Sequence, residues 1–203
     1  MKKRTIALLL LAALLGGTLT GCSEKAKEYY SPGYWRDTTF YSAFVDLRFT
    51  LPEGWTAASQ EELDTMSAEA DKLLDMQRGG AGTDPASVYH YELSARDPET
   101  GNGVLILVQN YGGTATDYID GLEAGAELEN ATYSVGSVTT VQLAGHPYLM
   151  VPLTMEGEEA PYQRQYLRKY EDYLIYLMMF STQEDKAAFT ELESHFSDME
   201  NPS

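Results

Sequence analysis

The sequence predicts a single α+β domain, in which a mainly antiparallel sheet of about seven strands is covered by three helices. Two observations carry this prediction. Apolar segments of alternating or continuous character occur in pairs joined by tight turns, which is the pattern of β-hairpins. Between the pairs lie three segments with helical spacing of apolar residues, and such helices need a sheet face against which to bury that side. The length of 203 residues fits one such domain.

The first 21 residues predict a signal peptide rather than part of the fold. Residues 1–4 are cationic, residues 5–15 are apolar, and Leu19-Thr20-Gly21-Cys22 resembles the lipobox of bacterial lipoproteins, where cleavage falls just before the Cys. The resemblance implies a diacylglycerol, with palmitate-like chains, on Cys22. The apolar run is too short for a transmembrane helix, which needs about 20 apolar residues. An ordinary signal peptide followed by a free thiol is the alternative; Cys22 is the only Cys, so no internal disulfide is available.

Charge limits the partners of the mature chain. Cleavage removes three basic residues and no acidic one, which takes the formal net charge from −17 to −20. Nucleic acid is excluded as an expected partner because phosphate binding needs a basic surface. We expect the protein on the extracytoplasmic face of the cell membrane, held by the lipid on Cys22. The other expected partner is a protein or a small anionic ligand, and no cofactor is expected.

The N-terminal part of the mature chain divides into a tether and the start of the domain. Residues 22–33 are predicted to be a polar lipidated tether, 34–199 the folded domain and 200–203 a tail. Phe44–Leu51 alternates as a half-buried strand does. After a turn, Trp55 is predicted to return to the core.

Helices and hairpins then follow in order. Ser59 and Glu62 predict a capping box, and helical spacing continues to Leu74 before Gly79 and Gly80. The next hairpin pairs Val88–Arg96 with Val104–Val108, and the side chains predicted to share one face of its first strand are Tyr89, Tyr91, Leu93 and Ala95. A helix capped by Thr116 follows, and then two strand pairs, Val135–Leu143 with Tyr148–Met155 and Tyr162–Tyr170 with Tyr173–Phe180. A terminal helix is predicted to begin at Thr182 and Asp185 and to carry Phe189, Leu192, Phe196 and Met199. Residues predicted to be buried are Trp55, Phe49, Leu105, Leu107, Leu177 and Phe196.

The order of these parts resembles a known family. The run from Trp35 to Trp55, which ends in Phe-Thr-Leu-Pro-Glu-Gly-Trp, is similar to the opening of small extracytoplasmic lipoproteins of clostridia-like bacteria. The closing strand and helix are similar as well, so the resemblance covers most of residues 35–199. It implies a PsbP-like fold, an α/β/α sandwich around an antiparallel sheet. It also implies binding or assembly more often than catalysis, although a fold does not establish a function.

Local motifs for catalysis or metal binding are missing from the sequence. The three histidines, His90, His146 and His195, share no motif, and neither a Gly-x-Ser-x-Gly elbow nor a phosphate-binding loop occurs. Acidic turns at residues 97–102 and 156–159 do not have EF-hand spacing, and whether they bind calcium stays open. We therefore expect a non-catalytic binding or assembly module with an unidentified ligand. A secreted hydrolase with dispersed carboxylates is the alternative, and a transporter's solute receptor is a third that the length disfavours.

One strand has a pattern of its own. Aromatic and cationic residues alternate at period 2, so they share one face: Tyr162, Arg164, Tyr166, Arg168 and Tyr170. The guanidinium fork matches carboxylate and phosphate groups, which predicts an anion or partner site. The alternative is structural: the arginines pair with acids on neighbouring elements, and the tyrosines cover the sheet under a helix.

Overall fold

A computed structural model describes residues 30–77, 88–128, 131–158, 160–184 and 186–199. The signal peptide, Cys22 and most of the predicted tether lie outside the described residues. The same holds for the Gly79-Gly80 turn, Asp185 and the tail.

The centre of the domain is an antiparallel sheet of eight strands. In spatial order they run β4-β5-β6-β11-β10-β9-β7, and β8 also pairs with β9. Their bounds are β4 Thr56–Ala57, β5 Tyr89–Arg96, β6 Gly103–Asn110, β7 Tyr133–Val135, β8 Thr139–Leu143, β9 His146–Met155, β10 Tyr162–Tyr170 and β11 Tyr173–Ser181. The predicted hairpins β5–β6, β8–β9 and β10–β11 are all present, because each joins strands that are adjacent in sequence across a short turn.

One face of this sheet is covered by two helices. These are α1, Gln60–Gln77, and α2, Ala115–Ala126. Leu63, Ala70 and Leu74 of α1 and Tyr118 and Leu122 of α2 pack on apolar side chains of the sheet, and all five are buried. The other face carries the helix α3, Lys186–Ser194, and a separate four-stranded sheet. The strands of this small sheet lie in the order β1 Tyr34–Arg36, β2 Thr39–Ser42, β3 Leu47–Thr50 and β12 Phe196–Ser197.

The predicted fold class is confirmed: the described residues form an α+β domain, with three helices and a mainly antiparallel central sheet between two outer layers. The capping box of α1 is also confirmed, since Ser59 N–H donates to Glu62 Oε2 at 2.9 Å and Glu62 N–H donates to Ser59 Oγ at 3.3 Å. Of the six residues predicted to be buried, five are, and Trp55 is only half-buried against the small sheet.

Four expectations about the elements were wrong. The small sheet was not predicted. Phe196 belongs to its last strand and pairs with Phe49, so the terminal helix ends at Ser194, before His195. The cap of α2 is Thr114, whose Oγ1 accepts the Asp117 N–H at 3.1 Å, rather than Thr116. The predicted strand over residues 135–143 is divided into β7 and β8.

The alternation expected in β5 is broken by a bulge. Tyr91 pairs with Leu107 and Leu93 pairs with Ile106, which leaves Glu92 without a partner position on β6. One extra residue reverses the facing of every side chain after it. Tyr89 and Tyr91 therefore face the α1–α2 layer, whereas Leu93 and Ala95 face the small sheet. The prediction that these four side chains share one face was wrong for this reason.

Candidate functional site

The outer edge of β5 pairs with β4 only at Ala95 and Arg96, and helix α1 closes the earlier part of this edge with side chains. Ser67 Oγ accepts the Tyr91 N–H at 3.0 Å, and Asp71 Oδ1 accepts the N–H groups of Val88 and Tyr89 at 2.9 Å and 3.1 Å. A sheet edge left open would present unpaired backbone groups. Side chains of α1 accept hydrogen bonds from these backbone groups, so the helix backbone lies one side-chain length away from the strand. A cleft remains between the two elements.

The cleft has a volume of about 430 Å³. It is lined by Tyr30 and Pro32 from the segment before β1, by one side of α1 between Gln60 and Asp71, and by His90 and Tyr91 of β5. This size lies within the range of sites for small molecules. Three parts of the chain that are distant in sequence therefore form one concavity.

Tyr30 is the residue that joins the N-terminal segment to the domain. Its ring stacks on His90 with centroids 3.9 Å apart and planes at 15°, and it meets Phe44 edge-on at 5.3 Å. Burial, together with the nearby carboxylates of Glu92 and Asp64, raises the pKa of the Tyr30 hydroxyl, so the hydroxyl stays protonated. Burial lowers the pKa of His90, which makes the neutral imidazole the prevailing form at physiological pH.

Glu92 lies close to Tyr30, at the bulge of β5, and is only 4% exposed. Burial raises the pKa of its carboxyl to about 7, because an ionised carboxylate is poorly solvated there. The hydroxyls of Ser42 and Tyr30 and the N–H of Gly33 lie close enough to lower that pKa in part. Neither carboxylate oxygen meets these groups in full hydrogen-bond geometry, so both lack a hydrogen-bond partner among the described residues. Glu92 is thus a buried acid that the described part of the domain leaves incompletely satisfied.

The electrostatic character of the cleft is anionic. Asp64 and Asp71 line the α1 side, and among the residues the structure describes no Lys or Arg lines the cleft. The Asp64 carboxylate accepts a hydrogen bond from Gln60 Nε2 at 2.8 Å and is exposed to solvent. The Tyr91 hydroxyl is buried and has no hydrogen-bond partner in the described structure. Acids, aromatic rings and one unused hydroxyl therefore surround the same space.

The predicted stripe on β10 faces the small sheet and α3. Arg164 Nη1 lies 3.2 Å from Glu193 Oε1 of α3, and its guanidinium carbon lies 4.2 Å from the centre of the Phe189 ring. Tyr166 Oη donates to the same Glu193 oxygen at 2.5 Å. Arg164 therefore has the acidic partner and the helix cover that the structural alternative requires.

The other members of the stripe also contact the protein itself. Arg168 donates to the carbonyl of Val45, and its guanidinium carbon lies 5.3 Å from the Tyr148 ring centre. Tyr162 is half-buried against the small-sheet face, and Tyr170, 44% exposed, meets Phe44 edge-on at 5.5 Å. Anion binding by the stripe stays a prediction from the sequence, and these contacts favour a structural role.

The histidines and the acidic turn do not form a second centre. His146 Nε2 lies 3.0 Å from Asp46 Oδ2, while His90 belongs to the cleft and His195 follows α3. Within the first acidic turn, Asp97 accepts hydrogen bonds from the Glu99 N–H at 2.8 Å and the Thr100 hydroxyl at 2.6 Å, as in an ordinary Asx turn. Across the described ranges, no group of three or more His, Cys, Asp or Glu side chains could hold a metal ion.

Sequence reasoning missed the cleft and Glu92. One signal was present: a charged residue stands in the middle of the strand, between Tyr91 and Leu93, where neighbouring strands carry apolar residues. A buried acid in a strand interior is rare unless it is paired. The contribution of Tyr30 gave no such signal, because it lies in a polar segment that reads as a tether.

The comparisons with known proteins bear on the fold alone. No protein-family model matches the sequence, and no curated protein matches it. Among solved structures, the chain is similar to the solution structure of cyanobacterial PsbP (CyanoP) from Synechocystis sp. PCC 6803. The match covers 90% of this chain and 99% of that chain, with 15% sequence identity and a TM-score of 0.46. A likeness of this degree carries no argument about ligand or partner. In the described ranges, the helices are all too short or too polar to cross a bilayer.

Proposed function

We propose that the protein is a membrane-anchored extracytoplasmic lipoprotein that acts as a non-catalytic binding module, of the kind found as small lipoproteins in clostridia-like bacteria. In this proposal Cys22 carries the lipid, and the cleft between α1 and β5 holds the ligand. The anchor is supported by the cationic start, the apolar run and the lipobox-like ending, which occur in the right order.

The observation that carries the binding role is the construction of the cleft. It is a concavity of small-molecule size lined by Tyr30, His90 and Tyr91, and Glu92, a buried acid whose oxygens make no hydrogen bond in the described structure, lies next to Tyr30. Incompletely satisfied polar groups beside a cleft are a physical mark of a binding site, since a folded domain otherwise pairs its buried polar atoms. Tyr30, which lines this cleft, lies eight residues after Cys22, a span of at most about 28 Å when extended. The cleft would therefore lie close to the lipid surface.

Labelling of living cells with a clickable fatty acid tests the anchor. We expect the wild-type chain to be labelled and to fractionate with membranes. Cys22→Ala should abolish both, because two buried acyl chains supply the membrane affinity at about 0.8 kcal/mol per CH₂. Ser23→Ala is the matched control and should behave as the wild type does. Unchanged labelling of Cys22→Ala would exclude this residue as the acylation site.

A secreted hydrolase remains the second candidate, because the pKa of Glu92, raised to about 7, is suited to a general acid. Asp64 and Asp71 lie on the same side of the cleft, on one helix, rather than across it from each other. The hydrolase predicts turnover of chromogenic glycosides or esters that Glu92→Gln abolishes. The binding module predicts equal background rates for the wild type and that variant.

A further inference from the structure

We propose that the cleft between α1 and β5 takes a small organic cation, a protonated amine or guanidinium attached to a flat or apolar body, with Glu92 as the buried countercharge. The inference rests on the proposed binding function and names its ligand class. It concerns a different surface from the β10 stripe, for which the sequence predicts an anion.

The first argument is charge compensation. Glu92 is 4% exposed. The neighbours that affect its pKa are Ser42, Tyr30 and Gly33, and among the described residues no Lys or Arg is one of them. An ionised carboxylate in such a place lacks the countercharge that buried charges normally have. A cation bound in the adjacent cleft supplies that countercharge, and the carboxylates of Asp64 and Asp71 add to the attraction.

The second argument is the aromatic lining. Tyr30 both lines the cleft and lies close to Glu92, so a cation that contacts this ring would also be near the buried acid. A cation near the face of an aromatic ring is attracted by the electrons of that face. The neutral imidazole of His90, stacked under Tyr30, adds no opposing charge. Aromatic side chains at Tyr30, His90 and Tyr91 also give an apolar body a surface on which to pack.

The third argument is an unused hydrogen-bonding group. Tyr91 lines the cleft, is only 3% exposed, and its hydroxyl has no partner in the described structure. A hydroxyl oxygen accepts a hydrogen bond from an ammonium or guanidinium N–H. The cleft thus offers acceptors and negative charge together, whereas an anionic ligand would meet Asp64 and Asp71 and, among the described lining residues, no Lys or Arg.

Calorimetric titration of the full-length lipoprotein in detergent micelles tests the inference. The probes are tyramine, its neutral analogue p-ethylphenol and its anionic analogue p-hydroxyphenylacetate, with agmatine as the guanidinium probe. We expect saturable binding of tyramine and agmatine. Neutral p-ethylphenol and anionic p-hydroxyphenylacetate should bind at least about tenfold more weakly than tyramine. The loss of one charge interaction worth about 1.4 kcal/mol lowers affinity tenfold.

Matched variants identify the site. Glu92→Gln keeps the size of the side chain, removes its charge and should weaken tyramine binding about tenfold. Asp64→Asn, at an exposed position, should weaken it less. Glu123→Gln on α2 changes the net charge of the chain equally but lies on a helix that does not line the cleft, and should bind tyramine as the wild type does.

Three results would overturn the inference: no saturable binding of either cation, equal binding by wild type and Glu92→Gln, or equal weakening by Glu123→Gln. The last would mean that the acidic surface attracts cations without a site. Failure of amine binding with intact fatty-acid labelling would reject only this ligand class. Fatty-acid labelling that persists in Cys22→Ala would reject the anchor instead.

Discussion

A single carboxyl group, that of Glu92, links the strand bulge, the N-terminal segment and the cleft. The bulge removes this residue from the pairing of β5 with β6, and burial under Tyr30 then raises the pKa of its side chain to about 7. If the bulge lay one residue earlier or later in β5, a different side chain would face Tyr30 and Ser42. The position of the bulge, rather than the composition of the strand, therefore determines which side chain is buried next to Tyr30.

Glu92 is expected to make the domain less stable at high pH. Its folded-state pKa, about 7, lies above the ordinary value of 4.5, so the folded state holds more protons between these two pH values. Stability therefore falls as pH rises from about 4.5 to 7, by an amount on the order of a few kcal/mol. Glu92→Gln removes this titration, and the difference in melting temperature between variant and wild type should grow in favour of the variant from pH 5 to pH 8.

Circular dichroism melts of both proteins at the two pH values measure this difference. Using the variant as reference cancels the pH-dependent contributions that the two proteins share. Burial lowers the pKa of His90 on the same strand, so its imidazole is neutral at the upper end of this range. A constant difference between the two proteins at all pH values would show that Glu92 does not titrate near neutrality.

At the scale of elements, α1 takes the place of a neighbouring strand along the first part of β5, which β4 does not reach. Asp71 accepts two backbone N–H groups and Ser67 accepts a third, and these bonds hold the helix beside the strand. The cleft exists because a helix bonded through side chains stands farther from a strand than another strand would. The shape of the site and the protection of the sheet edge therefore have the same cause.

Asp71→Ala should loosen this edge. The N–H groups of Val88 and Tyr89 would lose their acceptor, and leaving a buried donor unpaired costs about 1–3 kcal/mol. Native-state hydrogen exchange at these two amides should accelerate, while exchange at the central strands β6 and β11 follows only the change in global stability. Asp120→Ala, at an exposed position on α2, is the control and should leave both amides unchanged.

At the scale of the whole molecule, the sequence predicts the features that depend on residues close together in the chain. It misses those that depend on residues far apart. The hairpins and the α1 cap depend on residues a few positions apart, and they are present as expected. The small sheet depends on pairing Phe196 with Phe49, and no local pattern marks a two-residue strand. The cleft combines Tyr30, α1 and a bulge, so period-2 reasoning along β5 could not find it.

The pairing of β12 with β3 can form only after almost the whole domain has been synthesised. Arg48 donates to the carbonyl of Asp198, 150 residues later, and the small sheet is complete only when both are present. A growing chain must therefore hold β1 to β3 without their final neighbour until its last residues emerge. Such long-range closure makes folding slow, and it couples the two ends of the chain in one cooperative step. A chain that ended before Phe196 would leave β3 paired with β2 alone, and one edge of the strand that carries the buried Phe49 would be open.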